Sequence, residues 1–426
     1  MRASLGVWVA SLLSVSLFAP GVARAEGSVK DASSPFASRG CPLKQHLATP
    51  TSLPADCRCL TNRAQTGGID MCKRPFDLAK SGTQIGEGVS FALYNNAHVS
   101  GGFIDERTGR LVASIYWSGA STPKGLIVSY DLKTWSRTFV SGEWADANGA
   151  KSIGSGPQFT HVKDVRAGKD GAWYALTYAP GKPEIVRVDP ATGARSKVWA
   201  GGDAAFGQCA SGTPQAVQPE ARTVQVTHEG FAVEDSGSFL LGYANPQRDG
   251  RGIVRISADG KQCTYLSATG TRADKMTRGS GAEMRGFVQG FTLHDGKVWA
   301  FTSAEKKLWT IDPVNGDRTV VSDKPLGERW ALWDGKRQVM WTAGFQNSVT
   351  LGAFDPKSSK FMNVFQDCAK GVSWFPLCAE GPIRINSLNY GPIWLNPKTG
   401  NLLLGHDSVG IVEFEPETGN SIIRSL

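Results

Sequence analysis

The sequence predicts an all-β chain: a β-propeller of six four-stranded blades, with five or seven as alternatives, preceded by a disulfide-stapled N-terminal segment. Three observations predict it. One short unit recurs six times, running through a Gly-containing turn, an apolar strand, a polar loop, a second strand and an acidic turn. The strand runs are short, β-branched and aromatic-rich, and Gly, Pro, Asn and Asp bound them. No stretch carries a helical period. Strands this short cannot bury both faces alone, so sheets stacked around an axis supply the core.

In chain order, residues 1–25 read as a secretory signal. Arg2 is the positive start, Leu5 to Phe18 the apolar run, and Ala23-Arg24-Ala25 the cleavage site. The apolar run is short for a membrane span, and no later stretch is apolar enough for one. An exported chain with no transmembrane segment is expected, periplasmic or extracellular and monomeric. Residues 26–40 are small and polar and read as a linker.

Residues 41–84 form a cysteine-rich cap or closing arm. Its cysteines are Cys41, Cys57, Cys59 and Cys72, half of the chain's eight. An even count in an exported chain points to disulfides, and four cysteines allow three pairings, which stay open. The others are Cys209 and Cys263, which flank the third unit, and Cys368 and Cys378, which close a short loop.

Residues 85–426 are the propeller. The turns opening each unit begin at Asp105, Gly168, Glu234, His294, Asp334 and Asn396. The second strands end at Asp131, Asp189, Ser257, Asp312, Asp355 and Glu415, and in four units a proline follows. In Asp189-Pro190-Ala191-Thr192-Gly193, Pro supplies φ near −65°, Gly accepts positive φ, and the carboxylate bonds backbone amides. The repeated acids are therefore structural. With strands a (inner) to d (outer), the tight a–b and c–d turns share one face. The long crossovers near 143–157, 200–221, 267–285 and 365–382 are expected on the other, where a ligand site belongs.

The formal charge of +8 falls to +6 without Arg2 and Arg24, and its basic residues are scattered. Nucleic acid is excluded as a partner by the lack of a basic stripe. No nucleophile elbow, H-E-x-x-H, P-loop or c-type haem motif is present. Polar residues at the starts of the inner strands can line the funnel. Asn96, His98, His161, Gln289, Glu328 and Asn389 are the ligand-binding candidates. His161, His406 and Asp407 are the candidates for acid–base work, because imidazole and carboxylate suit it. His294 falls on the turn face and is set aside.

The last unit, Asn389-Tyr390-Gly391-Pro392 through Asn396-Pro397-Lys398-Thr399-Gly400, then Gly405-His406-Asp407-Ser408, resembles blades of the calcium-dependent lactonase, strictosidine-synthase-like and NHL-type propellers. Glu380-Gly381-Pro382 is similar to the glutamate motif of gluconolactonases. The resemblance implies a six-bladed fold and a divalent cation such as Ca²⁺ held at Glu380, Asn389 and Asp407. Two functions follow as expectations. The first is an exported propeller binding a small molecule, glycan or peptide around its funnel. The second is a metal-dependent lactonase-like hydrolase or lyase.

Overall fold

The computed structural model describes residues 82–83 and 97–425, apart from 118–123, 147–148, 160, 180–181, 202–208, 211–224, 246–249, 270–277, 303–304, 324–328, 346–348, 367–389, 407–409 and 417–420. It is a six-bladed β-propeller. Each sheet takes four consecutive antiparallel strands, a at the axis and d at the rim.

Blade 1 comprises Ala97–Asp105, Arg110–Trp117, Lys124–Asp131 and Arg137–Asp146. Blade 2 comprises Val162–Ala167, Trp173–Ala179, Lys182–Val188 and Arg195–Ala200. Blade 3 comprises Gln225–Val233, Phe239–Asn245, Gly250–Ile256 and Cys263–Thr269. Blade 4 comprises Val288–His294, Lys297–Thr302, Lys307–Ile311 and Arg318–Ser322. Blade 5 comprises Trp330–Asp334, Val339–Phe345, Val349–Asp355 and Lys360–Gln366. Blade 6 comprises Tyr390–Leu395, Leu402–His406, Gly410–Phe414 and Ser421–Ser425. The repeated strands of the sequence are the b and c strands of these blades.

Each inner strand touches the next around the axis, and that of blade 6 touches that of blade 1, so the ring closes. Three blades carry a fifth strand on the rim. Gly149–Ile153 adds antiparallel to blade 1, and Cys209–Ala210 adds parallel to blade 3. Gly82–Thr83 adds parallel to Ser421–Ser425 of blade 6, and it is the described part of the expected N-terminal arm. The remainder of that arm, including Cys41, Cys57, Cys59 and Cys72, lies outside the described residues, as do Cys368 and Cys378. The rim strand of blade 3 sets Cys209 opposite Cys263.

The core lies between blades, and alternation along the b strands builds it. Leu111, Ala113 and Ile115 pack with Trp394, Leu403 and Ile411 of blade 6, whereas the intervening Val112 packs with Val162, Val165 and Trp173 of blade 2. Phe239 and Leu241 face Leu176 and Ile185 of blade 2, and Leu240 faces Val298 and Trp309 of blade 4. Both faces of a central strand are thus buried, which is why the b strands read as unbroken apolar runs. Each such side chain contributes about 1.5–3 kcal/mol. A bulge interrupts the c–d pairing in every blade, and bulges increase the local twist.

The acidic turns behave as hairpin chemistry requires. Asp131 Oδ1 accepts the amide hydrogens of Lys133 and Thr134, Asp189 Oδ1 those of Ala191 and Thr192, and Asp312 Oδ1 those of Val314 and Asn315. His294, on the turn face, stacks on Trp333 with ring centroids 3.8 Å apart.

Two crossovers depart from the expectation of open loops. After Gly149–Ile153 folds back along blade 1, Gly154-Ser155-Gly156 docks against the c–d turn of blade 2. There the amide of Arg195 donates to Ser155 O (2.7 Å). The Arg195 side chain, buried in the groove between the blades, reaches Pro157 O (2.7 Å), Ile153 O (2.9 Å), Ser141 Oγ (3.0 Å) and Glu143 Oε1 (2.7 Å). The same device joins blades 3 and 4. Arg318 binds Ser280 O through its amide, and Ala282 O, Arg278 O and Ser267 Oγ through its guanidinium. At Gly154 and Gly279, where φ is positive, a β-carbon would collide with the carbonyls of Gly193 and Gly316. The described parts of these segments staple neighbouring blades.

Candidate ligand site at the funnel mouth

The register of the inner strands fixes which residues share the mouth. Val99, Val162, Val226, Val288, Trp330 and Tyr390 pair with Ile115, Thr177, Tyr243, Thr302, Ala343 and His406 of their own b strands. Five of these are equivalent positions; Trp330 with Ala343 in blade 5 lies one step deeper, where Gly101 pairs with Ser114 in blade 1. One residue earlier, at the mouth, stand His98, His161, Gln225 and Phe287 among the described residues, none of them acidic. Phe287 is 42 % exposed, one of three large apolar side chains so exposed among the described residues.

Blades 1 and 2 bring two of the sequence candidates together. His98 pairs with Tyr116 across the a–b ladder, and their rings stack with centroids 4.9 Å apart. The edge of the same Tyr116 ring pair meets His161 of the next blade at 5.3 Å and 76°. In blade 2 the amide of Tyr178 donates to His161 O at 2.8 Å, so Tyr178 stands opposite His161 as Tyr116 stands opposite His98. Lys163, two residues on from His161, is 6 % exposed and holds its ammonium 4.3 Å from the centre of the Tyr116 ring. A cation over an aromatic face is attracted by the ring quadrupole.

The electrostatics follow from this crowding. Burial lowers the affinity of the His161 imidazole for a proton, and the charges of Lys163 and His98 lower it further. Between His161 and Arg166 the alternate residue Asp164 turns the other way and ties blade 2 to blade 1. Its fully buried carboxyl is pushed up to about 6, because burial outweighs the pull of Arg166.

The other candidates fall elsewhere. Gln289 is buried one step deeper in blade 4, opposite Phe301. His406 lies on strand b of blade 6, opposite Tyr390 and Gly410. Asn96, Glu328, Asn389, Glu380 and Asp407 lie outside the described residues. Among the described residues no group of three or more His, Cys, Asp or Glu surrounds one point. Tyr116, Lys163 and Tyr178 were not among the sequence candidates. Their signal is one of spacing: Tyr116 and Tyr178 are next to last in the b strands of successive units, five residues after Leu111 and Trp173 respectively.

No family model matches the chain, and no curated protein matches it in sequence. Solved structures do resemble it. TolB from Acinetobacter baumannii is 14 % identical with a TM-score of 0.38, over 63 % of this chain and 53 % of that one. A structural genomics protein of unknown function from Bacteroides thetaiotaomicron is 10 % identical with a TM-score of 0.46, over 78 % and 72 %. Oligogalacturonate lyase in complex with manganese is 10 % identical with a TM-score of 0.39, over 76 % and 77 %. At these values no function passes from them to this chain. Among the described residues no helix is long and apolar enough to cross a membrane.

Proposed function

We propose that the chain is an exported binding protein that receives a small molecule, glycan or peptide at its funnel mouth, between blades 1 and 2. One observation carries the reading: His98 and His161, at the same position of neighbouring blades, converge on Tyr116, with Lys163 over the ring. Aromatic walls with a few converging polar groups are what small-ligand sites are made of. Export is supported by the signal-like residues 1–25 and by Cys209 standing opposite Cys263, a register from which a disulfide can form.

A thermal-shift screen of the purified chain against sugars, sugar acids, aromatic acids, nucleotides and short peptides tests this. The expected result is a ligand that raises the melting temperature of the wild type and leaves that of Tyr116→Ala unmoved. Stabilisation of neither protein by any class would overturn the proposal.

A further inference from the structure

We infer that this mouth selects a ligand bearing an oxyanion, a carboxylate or a phosphate, seated among His98, His161 and Lys163. The inference rests on the binding reading above and names the chemistry of its ligand.

Three basic groups from two adjacent inner strands share one aromatic wall. His98 stacks on Tyr116, His161 meets the ring edge-on, and the Lys163 ammonium lies over it. In their charged forms Lys163 and His98 both disfavour a proton on His161. Like charges gathered in a partly desolvated site repel, and a bound anion reverses the sign of every such pair at once. Imidazolium and ammonium also donate charge-assisted hydrogen bonds to an oxyanion, which are shorter and stronger than neutral ones.

Among the described residues the equivalent positions of blades 3 and 4 hold Gln225 and Phe287, neither of them acidic. The exposed ring of Phe287 gives the ligand's non-ionic portion an apolar surface on the same rim. The neighbouring Asp164 does not oppose this, since its carboxylate is fully buried against Gly102 and Arg166.

The test is a titration of the full chain, with its histidines isotope-labelled for NMR, against benzoate, phenyl phosphate and the neutral benzamide. At least one anion is expected to bind about tenfold or more tightly than benzamide while shifting the His98 and His161 signals; a charge-assisted contact is worth that much. Which anion prevails names the oxyanion. Lys163→Gln is expected to remove most of that preference, the anion losing more affinity than benzamide does. His161→Asn does the same should the lysine variant fail to fold. Benzamide binding as tightly as both anions, with the same histidine shifts, overturns the anionic class and leaves the binding site standing. No shift of either histidine with any of the three overturns the anionic class, and the screen above then decides the broader reading by itself.

Discussion

Asp164 Oδ1 accepts the amide hydrogen of Gly102 at 2.9 Å, and a β-carbon on Gly101 would overlap the same carboxylate. The contact exists because the inner strand of blade 1 slips its register between Val99 and Gly101, which turns the Gly102 amide toward blade 2. Arg166 completes the tie, bonding Asp164 Oδ2 at 2.7 Å and Gly102 O at 3.0 Å. Two blades are thus joined at the axis by a buried ion pair whose hydrogen bonds are directed to backbone. The tie lies one residue from Lys163, so it also fixes the strand that presents the candidate site.

The buried carboxyl predicts a pH dependence. Asp164 is raised from 3.8 to about 6, first by burial and against the opposing pull of Arg166. Between those values the folded chain holds a proton that the unfolded chain has released. The contribution to stability is therefore complete below about pH 3.8 and is lost as pH rises through about 6. Its size is on the order of 3 kcal/mol. Urea unfolding of the wild type and Asp164→Asn across pH 4 to 7.5 should show the wild type's advantage over the variant shrinking by that order as pH rises. Parallel curves would rule this out.

The staple between blades 1 and 2 predicts a larger loss. Arg195 Nη2 meets Glu143 Oε1 at 2.7 Å, and Glu143 Oε2 also accepts the amide hydrogen of Phe159 at 3.1 Å. Removing the guanidinium strands a buried carboxylate, which costs about 3–5 kcal/mol. Arg195→Ala should lose that much in chemical denaturation near neutral pH. Arg195→Lys should recover only part, because one ammonium cannot span Pro157 O, Ser141 Oγ and Glu143 at once. If Arg195→Lys matched the wild type, the fork geometry would not be what holds the crossover.

How much of this was legible follows from sequence distance. The six blades were legible because each is closed by contacts a few residues apart, such as Asp189 with Ala191 and Thr192. The staples were not, since Arg195 meets partners 38 to 54 residues away. Their trace is nonetheless in the sequence: Gly154-Ser155-Gly156 and Gly279-Ser280-Gly281 are the same tripeptide, and each is followed a blade later by Gly-x-Arg at Gly193 and Gly316. At the mouth, His98 and His161 were legible as polar residues starting inner strands. Tyr116 stands within an apolar strand run that carries no mark of a site, and only the a–b register sets it against His98. Lys163 lies inside a strand, where its type alone says nothing of the ring it covers.

The His161 imidazole supplies the last prediction. Burial lowers its pKa below 6.5, and Lys163 and then His98 push it further down, while a hydrogen bond between the imidazole and the Tyr178 backbone acts the other way. A base depressed in the folded state contributes stability that is present above its unfolded value of about 6.5 and is lost as pH falls through the depressed one. The proton therefore avoids His161 at neutral pH in the absence of an anion. An NMR titration should find its midpoint below that of an exposed histidine. Lys163→Gln should raise the midpoint only part of the way, because burial is the larger cause and remains; His98→Gln should raise it less. Full recovery with Lys163→Gln would show that charge, not burial, governs the site. An unchanged midpoint in both variants would show that Lys163 and His98 do not act on His161 at all, and the shared wall of Tyr116 would then be packing alone.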